Sequence, residues 1–485
     1  MQVPFNNSYA GLSDCLFTRQ LPIPVTKPGL IKVNHVLARL LGIDPEWLES
    51  GEGINVIAGN LIPDGAEPIA TVYAGHQFGS WNPQLGDGRA VLLGEVIGND
   101  SERYDIQLKG SGQTPYSRSG DGRAPLGPVL REYILSEAMS ALNIPTTRAL
   151  AAVTTGEQVY REQVLEGAVL ARVAKSHIRI GTLQFFSARG DIDSLQALVD
   201  HVIARHYPDS ANADNPVLSL FEQVMANQAS LIARWQSVGF IHGVMNTDNM
   251  LLSGETIDYG PCAFMDTYNP ASVYSSIDHR GRYAYQNQPV IAHWNLACLA
   301  QALVPLFAED GQSAIEIAEQ ALAEFPALVG DQINFRLSQK LGLTEVQEKD
   351  DELIQDFLKL LESNKLDFTQ SFRRLSELPV EAEGVNTPFD FPEFAPWYER
   401  WQSRCSKEKI TDKARYKNMI AVNPVVIPRN HVVESAIAKA YEGDFSLFHD
   451  LHLRLATPFE HHQNDALFTT PPQPNEIVRQ TFCGT

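Results

Sequence analysis

Residues 240–260, FIHGVMNTDNMLLSGETIDYG, bring two candidate metal ligands close together in the sequence. Asn249 and Asp258 carry side-chain oxygens, and residues 250–252 between them read as a short buried β-strand. An Asn before such a strand and an Asp after it can converge on one cation. Mg²⁺ prefers oxygen ligands and usually holds the phosphates of a nucleotide beside them. The stretch therefore predicts a metal site, and the alternative is a polar hairpin on a helical domain.

A tetrapeptide, Gly-Asp-Gly-Arg, occurs twice in the first third of the chain, at residues 86–89 and 120–123. Its glycines let backbone N–H groups approach an anion closely, and its arginine adds a positive charge. The P-loop motif GxxxxGK[ST] is absent from the sequence. The repeat predicts two phosphate-binding loops, and the alternative is two tight turns, because Asp-Gly is a common turn dipeptide.

The charged residues after the first loop have the order expected of a phosphate site. Lys109 ends a predicted strand, and Glu132 lies on the next predicted helix. Arg172, Lys175 and Arg179 form the densest basic group near the glycine loops. In an acidic chain, a substrate that carries phosphates needs such a local basic cluster. The alternative for these three residues is a solvated strand end.

Composition limits the classes of function. The 485 residues carry a net charge of −20, which argues against a nucleic-acid partner because such proteins need a basic surface. The sequence contains no run of eighteen apolar residues and therefore predicts no membrane span. Its first residues lack the features of a secretory signal. The five scattered cysteines without a CxxC pair fit a reducing compartment. We therefore expect a cytoplasmic protein with no membrane partner.

The predicted elements divide the chain into two parts. Glycines alternate with β-formers from residue 69 onward, and the predicted strands are residues 90–97, 104–109, 146–155 and 158–174. One helix is predicted among them, at residues 128–142, and later helices at 194–206, 216–238, 291–307, 312–325 and 350–363. We predict an α+β fold with two units. Residues 1–178 form an N-terminal extension and a β-rich lobe with Lys109 and Glu132. Residues 179–485 form a helical lobe with the metal site, a cysteine tail and a loop at residues 242–249, which is called the catalytic loop below.

This order of elements resembles that of a protein kinase, in which a strand lysine contacts the phosphates and pairs with a helix glutamate. His242 and Asn249 have the spacing of the kinase loop HRDxxxxN, and the tripeptide Asp-Tyr-Gly at residues 258–260 stands where DFG would. Val244 occupies the position of the kinase base, so the usual carboxylate is missing. Asp248 is the nearby candidate for that role.

Longer motifs resemble those of the selenoprotein O family, kinase-like enzymes that transfer AMP rather than phosphate from ATP to protein hydroxyls. These motifs are AGHQFG (residues 74–79), QLGDGRA (84–90), LKGSGQTPYSRSGDGRA (108–124), HGVMNTDNM (242–250), TIDYGP (256–261) and NPVVIPRNH (423–431). The resemblance implies a kinase-like two-lobed fold with extra N- and C-terminal segments. It also implies Mg²⁺ or Mn²⁺, a flipped ATP as co-substrate, Ser, Thr or Tyr hydroxyls of proteins as acceptors, and release of pyrophosphate.

The same resemblance implies roles for single residues. Asp248 would be the catalytic base, Asn249 and Asp258 would bind the metal, and Glu132 would pair with Lys109. The residues implied to contact the nucleotide are Gly86, Gly88, Arg89, Lys109, Asp121, Gly122, Arg172, Arg179 and Asp258.

Cys483 is the third residue from the end of the sequence, where members of this family often carry selenocysteine. The resemblance therefore implies a redox link between this tail and the kinase-like core. Cys262, which follows the Asp-Tyr-Gly tripeptide, is a conceivable partner.

Three other functions remain open on the sequence. The first is an ordinary phosphotransferase acting on a protein or a small molecule. The second is a pseudokinase, a nucleotide-binding scaffold without chemistry, which Val244 favours. The third is a thiol redox protein that uses Cys483, although no second cysteine lies beside it in the sequence.

Overall fold

The computed structural model describes residues 3–347, 349–380 and 388–482, and its strands lie mostly before residue 175. In chain order they are β1 Phe17–Arg19, β2 Gly29–Val33, β3 Ile69–Thr71, β4 Gly75–Gln77, β5 Ser80–Asn82, β6 Ala90–Ile97, β7 Arg103–Lys109, β8 Ala124–Pro125, β9 Arg148–Tyr160, β10 Val164–Ala174, β11 Phe240–Ile241 and β12 Ala263–Phe264. One antiparallel sheet has the order β1-β3-β6-β7-β10-β9-β2, with β8 paired to β10. Two small sheets pair β4 with β5 and β11 with β12.

Helices make up most of the chain after residue 180. The α-helices are α1 His35–Leu40, α2 Pro45–Glu49, α3 Gly51–Ile57, α4 Leu126–Ala141, α5 Ile180–Ser187, α6 Ile192–His206, α7 Pro216–Val238, α8 Gln288–Phe307, α9 Gly311–Ala323, α10 Phe325–Lys340, α11 Asp350–Ser363, α12 Phe368–Glu377, α13 Phe394–Cys405, α14 Asp412–Ile420, α15 Asn430–Tyr441, α16 Ser446–Leu455 and α17 Ala466–Thr469. This mixture of one antiparallel sheet and many helices confirms the α+β class. The two-lobed arrangement and its boundary between residues 178 and 179 stay predictions.

The register of β7 and β10 decides which side chains share one face of the sheet. Gln107 and Lys109 are two residues apart on β7, so their side chains lie on the same face. Arg172 on β10 is directly opposite Gln107 in the antiparallel pairing, and directly opposite residues also share a face. The sheet therefore presents an amide and two cations side by side.

Helix α4 is buried between this sheet and the C-terminal helices. Ile134 of α4 belongs to one core cluster with Leu170 of β10 and Phe448 of α16. Twelve of the sixteen residues of α4 are buried, as expected of a helix that is covered on more than one side. This packing holds Glu132, which also lies on α4, against the sheet face that carries Lys109.

Several predicted elements have the bounds that the sequence indicated. Strand β6 and helices α7 and α11 coincide with the predicted residues 90–97, 216–238 and 350–363. Helix α7 begins after Asn215, whose side chain accepts a hydrogen bond from the Leu218 backbone, and ends at Gly239 with φ of +72°. An Asn cap at the start and a left-handed glycine at the end are strong local signals.

The predicted position of the turn between β9 and β10 was wrong. It was expected at residues 156 and 157, but β9 continues to Tyr160 and the turn comprises residues 161–163. Gly156 has φ of +70° and lies at an irregularity in the register, where the ladder is interrupted and then resumes. A glycine inside a strand commonly marks such a bulge rather than a turn.

Two further elements differ from their predictions. The helix predicted at residues 312–325 is α9, which ends at Ala323, and the next helix, α10 with Pro326 in its first turn, was not predicted. Residues 250–252 are buried as expected but form isolated bridges instead of a strand. Met250 bridges to Thr256 and Leu251 bridges to Arg179.

Helix α8 and the turn before it form the one described segment that is long and apolar enough to cross a membrane. The most apolar 18-residue window within Tyr285–Phe307 has a mean hydropathy of 1.5, and 56% of that window is buried inside the protein. Helix α8 packs against α5, α7 and α9. Core helices of this kind meet the same criterion, so the absence of a membrane partner stays a prediction.

A buried lysine predicts that stability depends on pH. Lys340 is 1% exposed, and its Nζ lies 4.4 Å from the ring centroid of Phe372. Burial lowers the pKa of Lys340 to about 7. Below pH 7 the buried charge therefore lowers the free energy of unfolding by on the order of a few kcal/mol. This loss of stability becomes smaller as the pH rises from 7 and disappears near the unfolded pKa of about 10.4.

We expect Lys340→Met to raise the thermal midpoint of unfolding clearly at pH 6.5 and much less at pH 9.5. Lys359→Met is the control, because the Lys359 side chain is 71% exposed. Thermal unfolding at the two pH values checks the expectation. An equal increase for Lys340→Met at both values would contradict it.

Candidate active site

Two adjoining cavities bring together the residues that the sequence predicted. The first, called the polar cavity here, has a volume of about 130 Å³. Its charged and amide lining residues are Asp87, Arg89, Lys109, Arg172, Arg179, Asp248, Asn249 and Asp258. The second, the glycine-loop cavity, has a volume of about 460 Å³ and is lined by Gly86, Asp121 and Gly122 among others. Tyr73, Gly88 and Arg89 line both cavities.

Two cations of the polar cavity share one carboxylate. Lys109 Nζ donates to Glu132 Oε2, and Arg172 Nη1 donates to Glu132 Oε1 at 3.1 Å. Arg172 Nη2 also donates to Gln107 Oε1 at 2.5 Å. Burial alone would raise the pKa of Glu132, but Lys109 and Arg172 hold it below its ordinary value. Glu132 therefore stays ionised and fixes both cations at the cavity wall.

Asp258 adds a carboxylate to this group. Its Oδ1 lies 3.8 Å from Lys109 Nζ. Burial would raise the pKa of Asp258, but Lys109 and Arg89 outweigh it and lower that pKa to about 2. The backbone of Asp258 is left-handed with φ of +67°, a conformation that costs a non-glycine residue about 1–2 kcal/mol. Such strain clusters where the surrounding structure holds a functional group in place.

His242 connects the loop after β11 to the segment before Asp258. Its Nε2 donates to Ile257 O at 2.8 Å, and its Nδ1 accepts from the Val244 backbone at 3.3 Å. The ring stacks on Trp235 with the centroids 5.3 Å apart. Burial lowers the pKa of His242, so the ring is neutral. His242 thus has a structural role and keeps the two halves of the site together.

Asn249 and Asp248 lie on a 3-10 helix, Thr247–Asn249. Asn249 Nδ2 donates to Val244 O at 3.0 Å, which leaves Oδ1 as the atom for a ligand. The Val244 side chain is 4% exposed and belongs to the main core cluster. The position that carries the base in kinases is therefore a core position here.

The two carboxylate oxygens of Asp248 differ in their surroundings. Oδ2 accepts a hydrogen bond from Gln77 Nε2 at 3.1 Å. Oδ1 is buried and has no hydrogen-bond partner among the described residues. Burial raises the pKa of Asp248 to about 6. Asp248 lines the polar cavity, which places its carboxylate next to a group bound there.

Arg179 connects the catalytic loop to the first glycine loop. Its Nη1 donates to the Asp248 carbonyl at 3.0 Å, and its Nη2 lies 3.8 Å from Asp87 Oδ1. The guanidinium carbon lies 4.2 Å from the ring centroid of Tyr73. Nη2 is buried without a hydrogen-bond partner in the described part of the chain. Such unpaired groups are rare, and a phosphate oxygen would supply the missing acceptor.

The two Gly-Asp-Gly-Arg loops leave no room for a side chain at their second glycine, Gly88 or Gly122. A Cβ at Gly88 would lie 2.8 Å from the Tyr116 carbonyl oxygen. A Cβ at Gly122 would lie 2.1 Å from the Gly112 carbonyl carbon, and Gly122 also has φ of +67°. Both contacts are with backbone atoms, so neither can be relieved by a rotamer change. The glycines therefore permit a close packing of two backbone segments at the cavity.

Some predicted residues have a different environment from the one expected. Lys175 does not line either cavity, because it follows the end of β10 and its Nζ pairs with Glu102 at the surface at 3.1 Å. Asp121 lines the glycine-loop cavity, but its carboxylate already accepts two hydrogen bonds from Arg161, at 2.8 and 2.9 Å.

Sequence reasoning missed three residues of the polar site. Asp87 is 3% exposed and accepts hydrogen bonds from Thr71 Oγ1 at 2.6 Å and Gln107 Nε2 at 3.2 Å. Its signal was its position between the two glycines of the first tetrapeptide. The signal for Gln107 was its spacing of two residues from Lys109 on a strand. Tyr73, under Arg179, had no signal in the sequence.

The donor set of the site fits a cation held by nucleotide phosphates. The described residues include no group of three or more His, Cys, Asp or Glu side chains that could enclose a metal ion. Asn249 and Asp258 line the polar cavity and carry side-chain oxygens of the kind that bind such a cation. Mg²⁺ commonly takes its other ligands from phosphates and water, and Mn²⁺ accepts the same oxygen donors. The pair does not fit a structural zinc site, which needs four nitrogen or sulfur ligands.

Comparison with known proteins identifies the family. Residues 1–456 match the family model described as protein adenylyltransferase SelO. A protein of Rhodopseudomonas palustris named protein nucleotidyltransferase YdiU is 57% identical over 99% of both chains. Proteins of the same name from Rhizobium etli and Bradyrhizobium diazoefficiens are 56% and 55% identical, over 99% of this chain and 97% and 99% of their own lengths. The chain belongs to the SelO family of protein adenylyltransferases.

Proposed function

We propose that this enzyme transfers AMP from ATP to Ser, Thr or Tyr hydroxyls of protein substrates and releases pyrophosphate. The observation that carries the proposal is the polar cavity, which combines four cations with a candidate metal pair and the carboxylate of Asp248. The cations are Arg89, Lys109, Arg172 and Arg179. Membership of the SelO family supports nucleotidyl rather than phosphoryl transfer.

The cations bind the phosphates of ATP. An arginine binds two oxygens of a phosphate through its planar fork and stays charged at every accessible pH. Glu132 holds Lys109 and Arg172 in position, and the buried Nη2 of Arg179 is free to donate to a phosphate oxygen. With the nucleotide reversed relative to a kinase, the γ- and β-phosphates are neutralised here and the α-phosphate faces the acceptor.

Asn249 and Asp258 would hold Mg²⁺ or Mn²⁺, which supplies charge neutralisation for the phosphates and the departing pyrophosphate. The Asp248 carboxylate takes the proton of the acceptor hydroxyl. The hydroxyl oxygen then forms its bond to the α-phosphorus. The bond from that phosphorus to the oxygen that bridges to the β-phosphate breaks, and its electron pair leaves with pyrophosphate.

The remaining expectations about the whole protein stay part of this proposal. They are a kinase-like two-lobed fold divided near residues 178 and 179, a cytoplasmic location, and no nucleic-acid or membrane partner. The net charge of −20 supports the exclusion of nucleic acid. The separation of the sheet before residue 175 from the helices after residue 180 supports the division.

Labelling of a desalted cell lysate with tagged ATP tests the proposed function. Wild-type enzyme is expected to attach the adenylate part of the tagged nucleotide to proteins, and Asp258→Ala enzyme is expected to attach none. Mass spectrometry of the labelled proteins identifies the group attached. A phosphate adduct alone would indicate a phosphotransferase, and nucleotide binding without any adduct would indicate a pseudokinase scaffold.

We also propose a redox link between the C-terminal tail and the active-site segment, with Cys262 and Cys483 as the pair. Cys483 lies outside the described residues, but Thr481 Oγ1 donates to the Pro261 carbonyl, adjacent to Cys262, at 2.5 Å. Cys262 is fully buried, and burial raises the pKa of its thiol to about 12. The pair would therefore form slowly, with loss of two protons and of two electrons to a small-molecule disulfide.

Peptide mass mapping under non-reducing conditions, after incubation with oxidised glutathione, tests this link. The expected result is a peptide that joins Cys262 to Cys483. Absence of any Cys483 disulfide under these conditions would contradict the link.

A further inference from the structure

The motif AGHQFG has no role in the mechanism described above, yet it forms a hairpin on the catalytic loop. Strands β4 and β5 make the hairpin. The His76 backbone N–H donates to Thr247 Oγ1 at 2.8 Å, and the Phe78 backbone N–H donates to Asn246 Oδ1 at 3.0 Å. Both acceptors immediately precede Asp248 in the sequence. An N-terminal element thus holds the backbone segment that carries the proposed base, about 170 residues later in the chain.

The side chain between these two contacts reaches Asp248 itself. Gln77 Nε2 donates to Asp248 Oδ2 at 3.1 Å, and no other hydrogen bond to the Asp248 carboxylate comes from a described side chain. On the other side, a Cβ at residue 75 would lie only 2.7 Å from Asp248 Oδ1. Gly75 therefore gives Oδ1 the space it occupies, and Gln77 holds Oδ2. The two contacts together restrict rotation of the carboxylate.

We infer that Gln77 is a positioning residue, which holds the Asp248 carboxylate in the orientation that meets the acceptor hydroxyl. This inference rests on the role of Asp248 in the proposed function. A carboxylate that acts as base must present one oxygen within hydrogen-bond reach of the hydroxyl proton. With Oδ2 held by the amide of Gln77 and Oδ1 packed against Gly75, the Asp248 carboxylate keeps one orientation. A neutral donor holds the carboxylate without adding another positive charge to a cavity that already holds four cations.

The contact geometry separates this role from a structural one. The hairpin is held on the loop by the backbone N–H groups of His76 and Phe78, and both remain when Gln77 is replaced. A Gln77 variant should therefore keep the fold, the position of the catalytic loop and the binding of ATP. Only the orientation of the Asp248 side chain should be lost.

Steady-state AMP transfer tests the inference, with a desalted lysate as the acceptor mixture and tagged ATP at varied concentration. We expect Gln77→Leu to lower the apparent kcat by about 10- to 100-fold, because a hydrogen bond to a charged group is removed. The apparent KM for ATP and the thermal shift caused by Mg·ATP should stay at their wild-type values. Gln77→Glu keeps the size of the side chain and should be at least as impaired, since its carboxylate repels that of Asp248. Gln223→Leu, the same change at an exposed position of α7, should be unaffected.

A double-mutant comparison shows whether Gln77 acts through Asp248. In an Asp248→Asn background, Gln77→Leu should change the remaining rate by no more than about 2-fold, because residues that act as a unit are not additive. A full additional loss in that background would overturn the inference, and so would a kcat within about 2-fold of wild type for Gln77→Leu alone. A loss of ATP binding or of folding in both Gln77 variants would assign a structural role instead. AMP transfer by the wild-type enzyme in the same assay would support the proposed function, whichever of these results the Gln77 variants give.

Discussion

Replacing Asp258 by asparagine is expected to lower AMP transfer by about 10³-fold or more. A bound metal ion supplies several kcal/mol of transition-state stabilisation, and each 1.4 kcal/mol or so corresponds to a factor of ten. The asparagine keeps the size of the side chain and tolerates the φ of +67° at this position. The loss is therefore assigned to the missing carboxylate charge and not to the backbone. Asp258→Ala should show the same loss.

The metal dependence of ATP binding provides the second readout for Asp258. In the wild type, Mg²⁺ should increase the thermal stabilisation by ATP, and in Asp258→Asn this increase should disappear. Asp214→Ala, at an exposed position without a role in the site, should behave as the wild type. Full turnover of the Asp258 variants with saturating Mg·ATP would contradict the assignment of Asp258 as a metal ligand.

Replacing Asp248 by asparagine is expected to lower kcat by about 10²- to 10⁴-fold, the usual contribution of a general base. ATP binding should persist, because Arg179 contacts the main-chain carbonyl of Asp248, which the substitution leaves in place. The shape of the side chain is also retained, so the contact with Gln77 can still form. Initial rates of tagged-ATP labelling and a thermal shift with Mg·ATP measure the two effects separately.

The outcome distinguishes Asp248 from Asp258. A variant that binds Mg·ATP normally and transfers AMP slowly supports the assignment of Asp248 as base. A kcat within a few-fold of wild type for Asp248→Asn would show that the acceptor proton goes elsewhere. Loss of nucleotide binding in this variant would mean that Asp248 supports the phosphate site instead.

Local signals in the sequence correctly predicted the elements whose first and last residues depend only on neighbouring residues. Helix α7 has an Asn cap, a first-turn proline and a terminal left-handed glycine, and its predicted bounds agree with the structure. The turn after β9 was misplaced because Gly156 was taken as a turn glycine. Its φ is the one expected of such a glycine, but it lies at a bulge inside the strand. The difference between these cases depends on the partner strand β10, which a local pattern does not contain.

Motifs and strand periodicity also located most of the polar cavity. Lys109, Arg172, Arg179, Asn249 and Asp258 all line it. The contribution of the hairpin of β4 and β5 could not be predicted, because its contacts with the catalytic loop join residues about 170 positions apart and depend on tertiary packing.

The orientation of the nucleotide was implied only by the resemblance to the selenoprotein O family. The four cations of the cavity suit phosphates, and neither these charges nor the spacing of the residues distinguishes the α- from the γ-phosphate end. This point therefore needs a direct measurement.

Two parallel reactions with the same desalted lysate, one with ATP labelled at the α-phosphate and one with ATP labelled at the γ-phosphate, test the central claim most directly. AMP transfer predicts that protein retains the α-label, while the γ-label is recovered in pyrophosphate. Both outcomes should depend on Asp258. Retention of the γ-label on protein without the α-label would contradict the account and identify a phosphotransferase.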